Sequence, residues 1–183
     1  REYLMFFHQQ TYPSLNLEDI VKNSAEITAH LRFPKKILPL FKRYLQSGYF
    51  PFSYHETEGD FIVKLNQVIN TVLESDLATI EGYTAGNVIK IKKLLGVLSE
   101  SVPFTPNIAS LANKMKLGRD TINNFIIHLE RARLFNLIYS QTKGVAALQK
   151  PDKIYLENTN LSFALKDQPD IGSIRETFFL NQL

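Results

Sequence analysis

The 183 residues carry 21 Lys and Arg against 18 Asp and Glu, a net charge of +3, and 44% hydrophobic content is enough to bury a sizeable core, in one domain or two small ones. Cysteine is absent, which excludes disulfides and thiolate metal sites. No apolar run approaches the roughly 18 residues of a membrane span, and no secretory leader is visible, so a cytoplasmic protein without a membrane partner is expected.

Taken in chain order, the opening REYLMFFHQQ is too apolar at Tyr3, Leu4, Phe6 and Phe7 to stand free in water and should pack on the helices that follow. Asn16 can cap a helix over residues 16–31, with Glu18 and Asp19 complementing the dipole of its first turn. Pro34 suits the start of the next helix, whose Ile37, Leu38, Phe41, Tyr44 and Leu45 form an apolar face and which Gly48 stops. Residues 49–58 read as a loop. A long helix over residues 60–80 follows, with Phe61, Leu65, Val68, Ile69, Val72 and Leu73 as its buried stripe. Residues 82–86, between two glycines, are the expected hinge.

A helix over residues 87–100, carrying Val88, Ile91, Leu94, Leu95 and Leu98, ends at Val102-Pro103-Phe104. Residues 107–117 then place Ile108, Leu111, Ala112 and Met115 at helical spacing, and Gly118 offers a residue without a Cβ to turn the chain. Asp120 or Thr121 can cap a further helix with Ile122, Phe125, Ile126, Leu129 and Ala132 on one face, before LFNLIY turns strand-like. Leu134 and Phe135 read as core. Residues 140–150, containing Gly144, fit a wing loop, and KIYLE at 153–157 fits a strand returning on residues 137–139 as a hairpin. One or two helical turns over 160–165, a loop at 168–170 and a last helix over 172–183 complete the chain. The expected fold is mainly α: an N-terminal helical bundle followed by a winged helix-turn-helix with a small β-hairpin, divided as residues 1–82, 87–166 and 167–183.

Charge is unevenly spread. Residues 101–150 hold seven basic against two acidic residues, whereas residues 51–100 hold four against seven. The positive excess therefore lies on the helix-turn-helix, the electrostatic footprint of a nucleic-acid-binding unit, although a solvated helix face gives the same pattern. Thr121, Asn124, His128 and Arg131 recur at helical spacing opposite the apolar face. Lys116 and Arg119 fall at that helix's N-terminal end and Lys143 on the wing. Side chains of these types can reach base edges and phosphates.

No phosphate-binding loop, dinucleotide fingerprint, H-E-x-x-H or G-x-S-x-G occurs. His8, His30, His55 and His128 lack ligand spacing, and Glu74 and Asp76 point to different sides of a helix. Neither a catalytic nor a metal site is expected in this chain.

The order of short signatures is nevertheless distinctive: REYL at the start, FKRYLQSGYFP at 41–51, LESDL at 73–77, the helix-turn-helix, KPDKIYLENTNL at 150–161 and IGSIRETFFLNQL at 171–183. Together, over nearly the whole chain, they resemble the prokaryotic AAA-type ATPases in which a nucleotide-binding domain is followed by a winged-helix segment and a C-terminal restriction-nuclease-like domain of unknown function. The resemblance implies that this chain is the non-catalytic region after the ATPase core. ATP and Mg would then belong to the parent and no cofactor to this piece. Its partners would be the ATPase and C-terminal domains of its own chain, with duplex DNA as a further candidate. It also implies that Glu176 is the first acidic residue of the nuclease-like domain. Asn158 and Asn160 stand where an Asp and a Gly are usual, which puts chemistry there in doubt. The alternative function is a protein-interaction or lid module that couples the two outer domains without nucleic acid. For that role Arg32, Lys35, Lys36 and Arg43 could approach a neighbouring phosphate.

Overall fold

The structure is a computed structural model that describes residues 1–31, 36–77, 84–139 and 150–182. Helices α1 (Glu2–His8), α2 (Leu17–His30) and α3 (Ile37–Ser47) open the chain. As expected, the Asn16 side chain caps α2 by accepting from the Asp19 amide at 2.7 Å. The start expected at Pro34 lies outside the described residues. Leu38 is three-quarters exposed and leaves the apolar face of α3 to Phe41, Tyr44 and Leu45. Gly48 ends α3 because nothing larger fits there. A Cβ would fall 2.6 Å from the Tyr44 Cα and 2.7 Å from the Tyr3 ring.

The loop expected after Gly48 contains a 3-10 turn, Pro51–His55, and leads to α4 (Glu58–Thr71), capped by Thr57. Phe61, Leu65 and Ile69 are buried on α4, while Val68, assigned to the same stripe from its spacing, is exposed. The helix does not stay α to the end expected for it, because residues Val72–Asp76 widen into a π turn. Leu73 within that turn and Leu77 just after it are both buried in the core.

Helix α5 (Ala85–Ser101) is capped by Thr84, and α6 (Ile108–Met115) by Asn107, whose side chain accepts from the Ser110 amide at 3.0 Å. The turn after α6 departs from its expected chemistry. Lys116, and not Gly118, takes the left-handed conformation, at φ 54°, while Gly118 is extended at φ −65° and ψ 151°. Gly118 is also the N-cap of α7 (Arg119–Arg131), so neither Asp120 nor Thr121 caps it, and no side chain does.

Strands β1 (Phe135–Ile138) and β2 (Lys153–Leu156) form the expected antiparallel hairpin, with Phe135 opposite Leu156 and Ile138 opposite Lys153. The other edge of β2 is also paired: the Ile154 amide donates to the Phe104 carbonyl at 3.0 Å and the Phe104 amide to the Ile154 carbonyl at 3.2 Å. Helices α8 (Thr159–Leu165) and α9 (Ile171–Leu180) follow. The architecture of the described residues is mainly α with one small hairpin.

One buried cluster runs from Phe61 and Leu65 through Ile91, Leu94 and Leu98 to Ile122, Leu129, Phe135, Ile154 and Leu161. Its members lie on both sides of the expected hinge at 82–86, of which residues 82 and 83 lie outside the described residues, so α4 and α5 share a core with α7 and the hairpin. The short α8 is its hub and packs on α3, α4, α5, α9 and β2.

Candidate nucleic-acid interface

Helix α7 is amphipathic in the sense its sequence implies. Ile122, Phe125, Ile126 and Leu129 are buried, and Leu134 and Phe135 beyond its end are core residues. On the opposite side Asn124 and Arg131 are exposed, and Thr121 and His128 between them are half-buried. Lys116 and Arg119 are both exposed and flank Gly118 at the helix start. Because Gly118 supplies no capping side chain, the first-turn amides of α7 lack a side-chain cap between two exposed cations, an arrangement that favours an anion, with Asp120 opposing it. Thr121, Asn124, His128 and Arg131 thus share one polar face of α7, while Lys116 and Arg119 sit at its leading end, Arg119 on a different side of the helix. The seventh candidate, Lys143, lies outside the described residues, as do Arg32 and Lys35.

This surface is graded in charge. Burial, and then the neighbouring Arg131 guanidinium, push the His128 imidazole below its ordinary value of 6.5. At neutral pH His128 is therefore a neutral hydrogen-bonding group, and positive charge resides on Lys116, Arg119 and Arg131.

Residues around the hairpin have roles that residue type alone does not reveal. Glu176 lies on α9, where its Oε1 accepts from Lys153 Nζ and, at 2.7 Å, from the Tyr155 hydroxyl. The Lys153 hydrogen bond, followed by that of Tyr155, holds its carboxyl below the usual carboxylate range. Among the described residues no three His, Asp or Glu side chains converge as a metal site.

Asn158 caps α8, accepting from the Leu161 amide at 3.2 Å as an Asp there would, and Asn160, where a glycine is usual, lies within the helix. Asn160 is fully buried. Its Nδ2 donates to the carbonyls of Tyr44 (3.2 Å) and Leu45 (2.8 Å), and its Oδ1 accepts from the Tyr49 amide at 2.9 Å. Thr159 adds a bond from Oγ1 to the Leu45 carbonyl at 2.7 Å. The stretch Asn158-Thr159-Asn160 thus fastens the open C-terminal end of α3 to α8. The only trace of this in the sequence was a polar triplet beside an apolar strand.

Two features define the class of protein: a mainly α fold around one core, and a pair of helices joined by a tight turn and backed by a hairpin. The family model described as "Domain of unknown function (DUF8612)" matches residues 38–170, from α3 to the cap of α9, and the chain belongs to that family. A curated relative, "Uncharacterized protein MJ1637" of Methanocaldococcus jannaschii, is 24% identical over 162 residues, covering 84% of this chain and 33% of the relative. The chain thus spans about a third of that relative's length. No solved structure matches it.

Proposed function

We propose that this chain is the region following the nucleotide-binding domain of an AAA-type ATPase, in the cytoplasm, and that its winged helix-turn-helix binds duplex DNA through α7. The observation that carries this reading is the pairing of β2 on both edges, by β1 and by Phe104. The order helix α5, strand residue, α6, tight turn, α7, hairpin supports a winged-helix reading, in which the polar face of α7 would meet a major groove. The helix and its leading turn supply phosphate-binding cations at Lys116, Arg119 and Arg131, and Asn124, Thr121 and His128 as groups able to read base edges.

In the parent, ATP and Mg would occupy the preceding domain, and hydrolysis would reposition the winged helix relative to the C-terminal domain. The signatures from REYL to IGSIRETFFLNQL support that part by resemblance alone. The test is binding of a short duplex at two salt concentrations. The reading expects affinity to fall steeply with added salt, as phosphate contacts release counterions, and the Arg119→Ala, Arg131→Ala double variant to lose about two units of the salt slope.

A second reading, a lid or interaction module coupling the outer domains, is favoured by one observation. Helix α2 has no buried residue, and Leu17, Ile20 and Val21 are exposed along it. An unpacked amphipathic helix that is also kinked at Asn23 (φ −121°, ψ 20°) is marginal in water and gains most by lying against another domain. Absence of duplex binding at low salt, together with protection of α2 in the longer parent polypeptide, would favour this second reading.

A further inference from the structure

A groove of about 1070 Å³ runs between α1 and the base of the hairpin. Its composition is unlike that of the α7 ridge. Its lining combines the aromatic Tyr3, Phe6 and Phe7 of α1 with the polar Asn136, Glu157 and Asn181, and Arg1, Glu2 and Arg133 add charge of both signs at the groove. Two oxygens of groove-lining residues are buried without a hydrogen-bond partner, the Tyr3 hydroxyl and Glu157 Oε2. Tyr3 is 8% exposed and the Glu157 side chain 12%.

The backbone around Glu157 is satisfied. Its amide donates to the Leu134 carbonyl at 3.0 Å, and its carbonyl accepts from Asn181 Nδ2 at 2.8 Å. Asn181 Oδ1 in turn accepts from Asn136 Nδ2 at 3.4 Å. Only the carboxylate is left over. Among the described residues its hydrogen-bond partner is Arg133, Nη1 on Oε1 at 3.4 Å, and that guanidinium is four-fifths exposed. Burial raises the carboxyl above its ordinary value, and Arg133 offsets the rise only in part. An ionised carboxylate accepts hydrogen bonds and donates none, so whatever satisfies this site must bring donors.

We propose that this groove binds an organic cation, a guanidinium or primary ammonium on an aliphatic stem, with the charged head on Glu157 and the stem against the aromatic part of the lining. A charge-assisted hydrogen bond to a carboxylate already out of water is the strongest kind available here, and aromatic rings in the lining favour a cation or its methylenes. Phe6 is 55% exposed, so it is open to such a stem. An anion, the other ligand that Arg133 suggests, would leave the carboxylate unpaired and repelled. The incoming head group replaces the long Arg133 contact, so loss of Arg133 strengthens the binding of a cation and would weaken that of an anion. The site is independent of DNA binding by α7.

The experiment is calorimetric titration of the 183-residue chain with agmatine and, separately, with N-acetylargininamide, which distinguish a free small cation from a basic side chain of a polypeptide. Whichever binds more tightly names the source. Glu157→Gln is expected to weaken binding at least about tenfold, the scale of one lost charge-assisted contact, and Arg133→Ala to strengthen it by removing the competing cation. Circular dichroism of both variants checks that the fold is retained. No binding of either probe at millimolar concentration, unchanged affinity in Glu157→Gln, or weaker binding in Arg133→Ala would each overturn the proposal.

Discussion

Asn160 shows how far one side chain can organise this molecule. It is fully buried and makes three hydrogen bonds to backbone groups of residues 44–49, more than a hundred positions away. Asn160→Ala leaves the Tyr49 amide unpaired and reduces the bonding at the Tyr44 and Leu45 carbonyls. The expected cost is about 3 kcal/mol in urea unfolding, because stranded buried groups pay their full desolvation. Loss of the Asn158 cap by Asn158→Ala should cost only about 1 kcal/mol. Similar losses from the two would argue against the clamp. His128 yields a second prediction. Its folded pKa lies below the ordinary 6.5, so the unfolded chain binds more protons between the two values. Its contribution to stability is full above 6.5 and is lost as pH falls through the folded value. His128→Gln should therefore shrink the stability difference between about pH 7.5 and pH 5, and an unchanged difference would remove burial as the cause of the shift.

At the scale of elements, the turn between α6 and α7 carries a cost that sequence reading assigned to the wrong residue. Lys116 adopts φ 54° at the C-cap of α6, a conformation unfavourable for a side chain with a Cβ. Lys116→Gly is expected to raise stability by about 0.5–1 kcal/mol while lowering the salt slope of duplex binding by about one unit. Destabilisation would contradict the assigned backbone. The existence and faces of α5, α6 and α7 were legible because apolar spacing records burial directly. The π turn at Val72–Asp76 was not, since local backbone widening leaves no mark in periodicity. Nor was the Phe104 pairing on β2, because a single bridge across 50 positions has no pattern of its own. The polar ridge of the candidate site could be read from residue type and spacing. The Glu157 groove could not, since it is assembled from α1, the hairpin and α9 only in three dimensions.

Across the whole molecule, the buried cluster joins residues that the sequence divided at 82–87. Two glycines suggested a hinge at 82–86, of which residues 82 and 83 lie outside the described residues; hydrophobic spacing says which face is buried and not which partner buries it. A shared core implies shared unfolding. Leu65→Ala on α4 should cost about 3 kcal/mol and speed hydrogen exchange of the most protected α7 amides by the same free energy. Exchange unchanged in α7 would mean separate cooperative units. Helix α2 should behave oppositely, with amide exchange far faster than in α4 or α7, because no buried side chain ties it to the core.

Function at this scale turns on whether the outward ridge of α7 meets DNA. The most direct measurement follows backbone amide resonances of the chain while a short duplex is added at low salt. The account predicts that the largest perturbations cluster at Lys116, Arg119, Thr121, Asn124, His128 and Arg131, and reverse when salt is raised. Perturbations confined to other surfaces, or none at any duplex concentration, would contradict it.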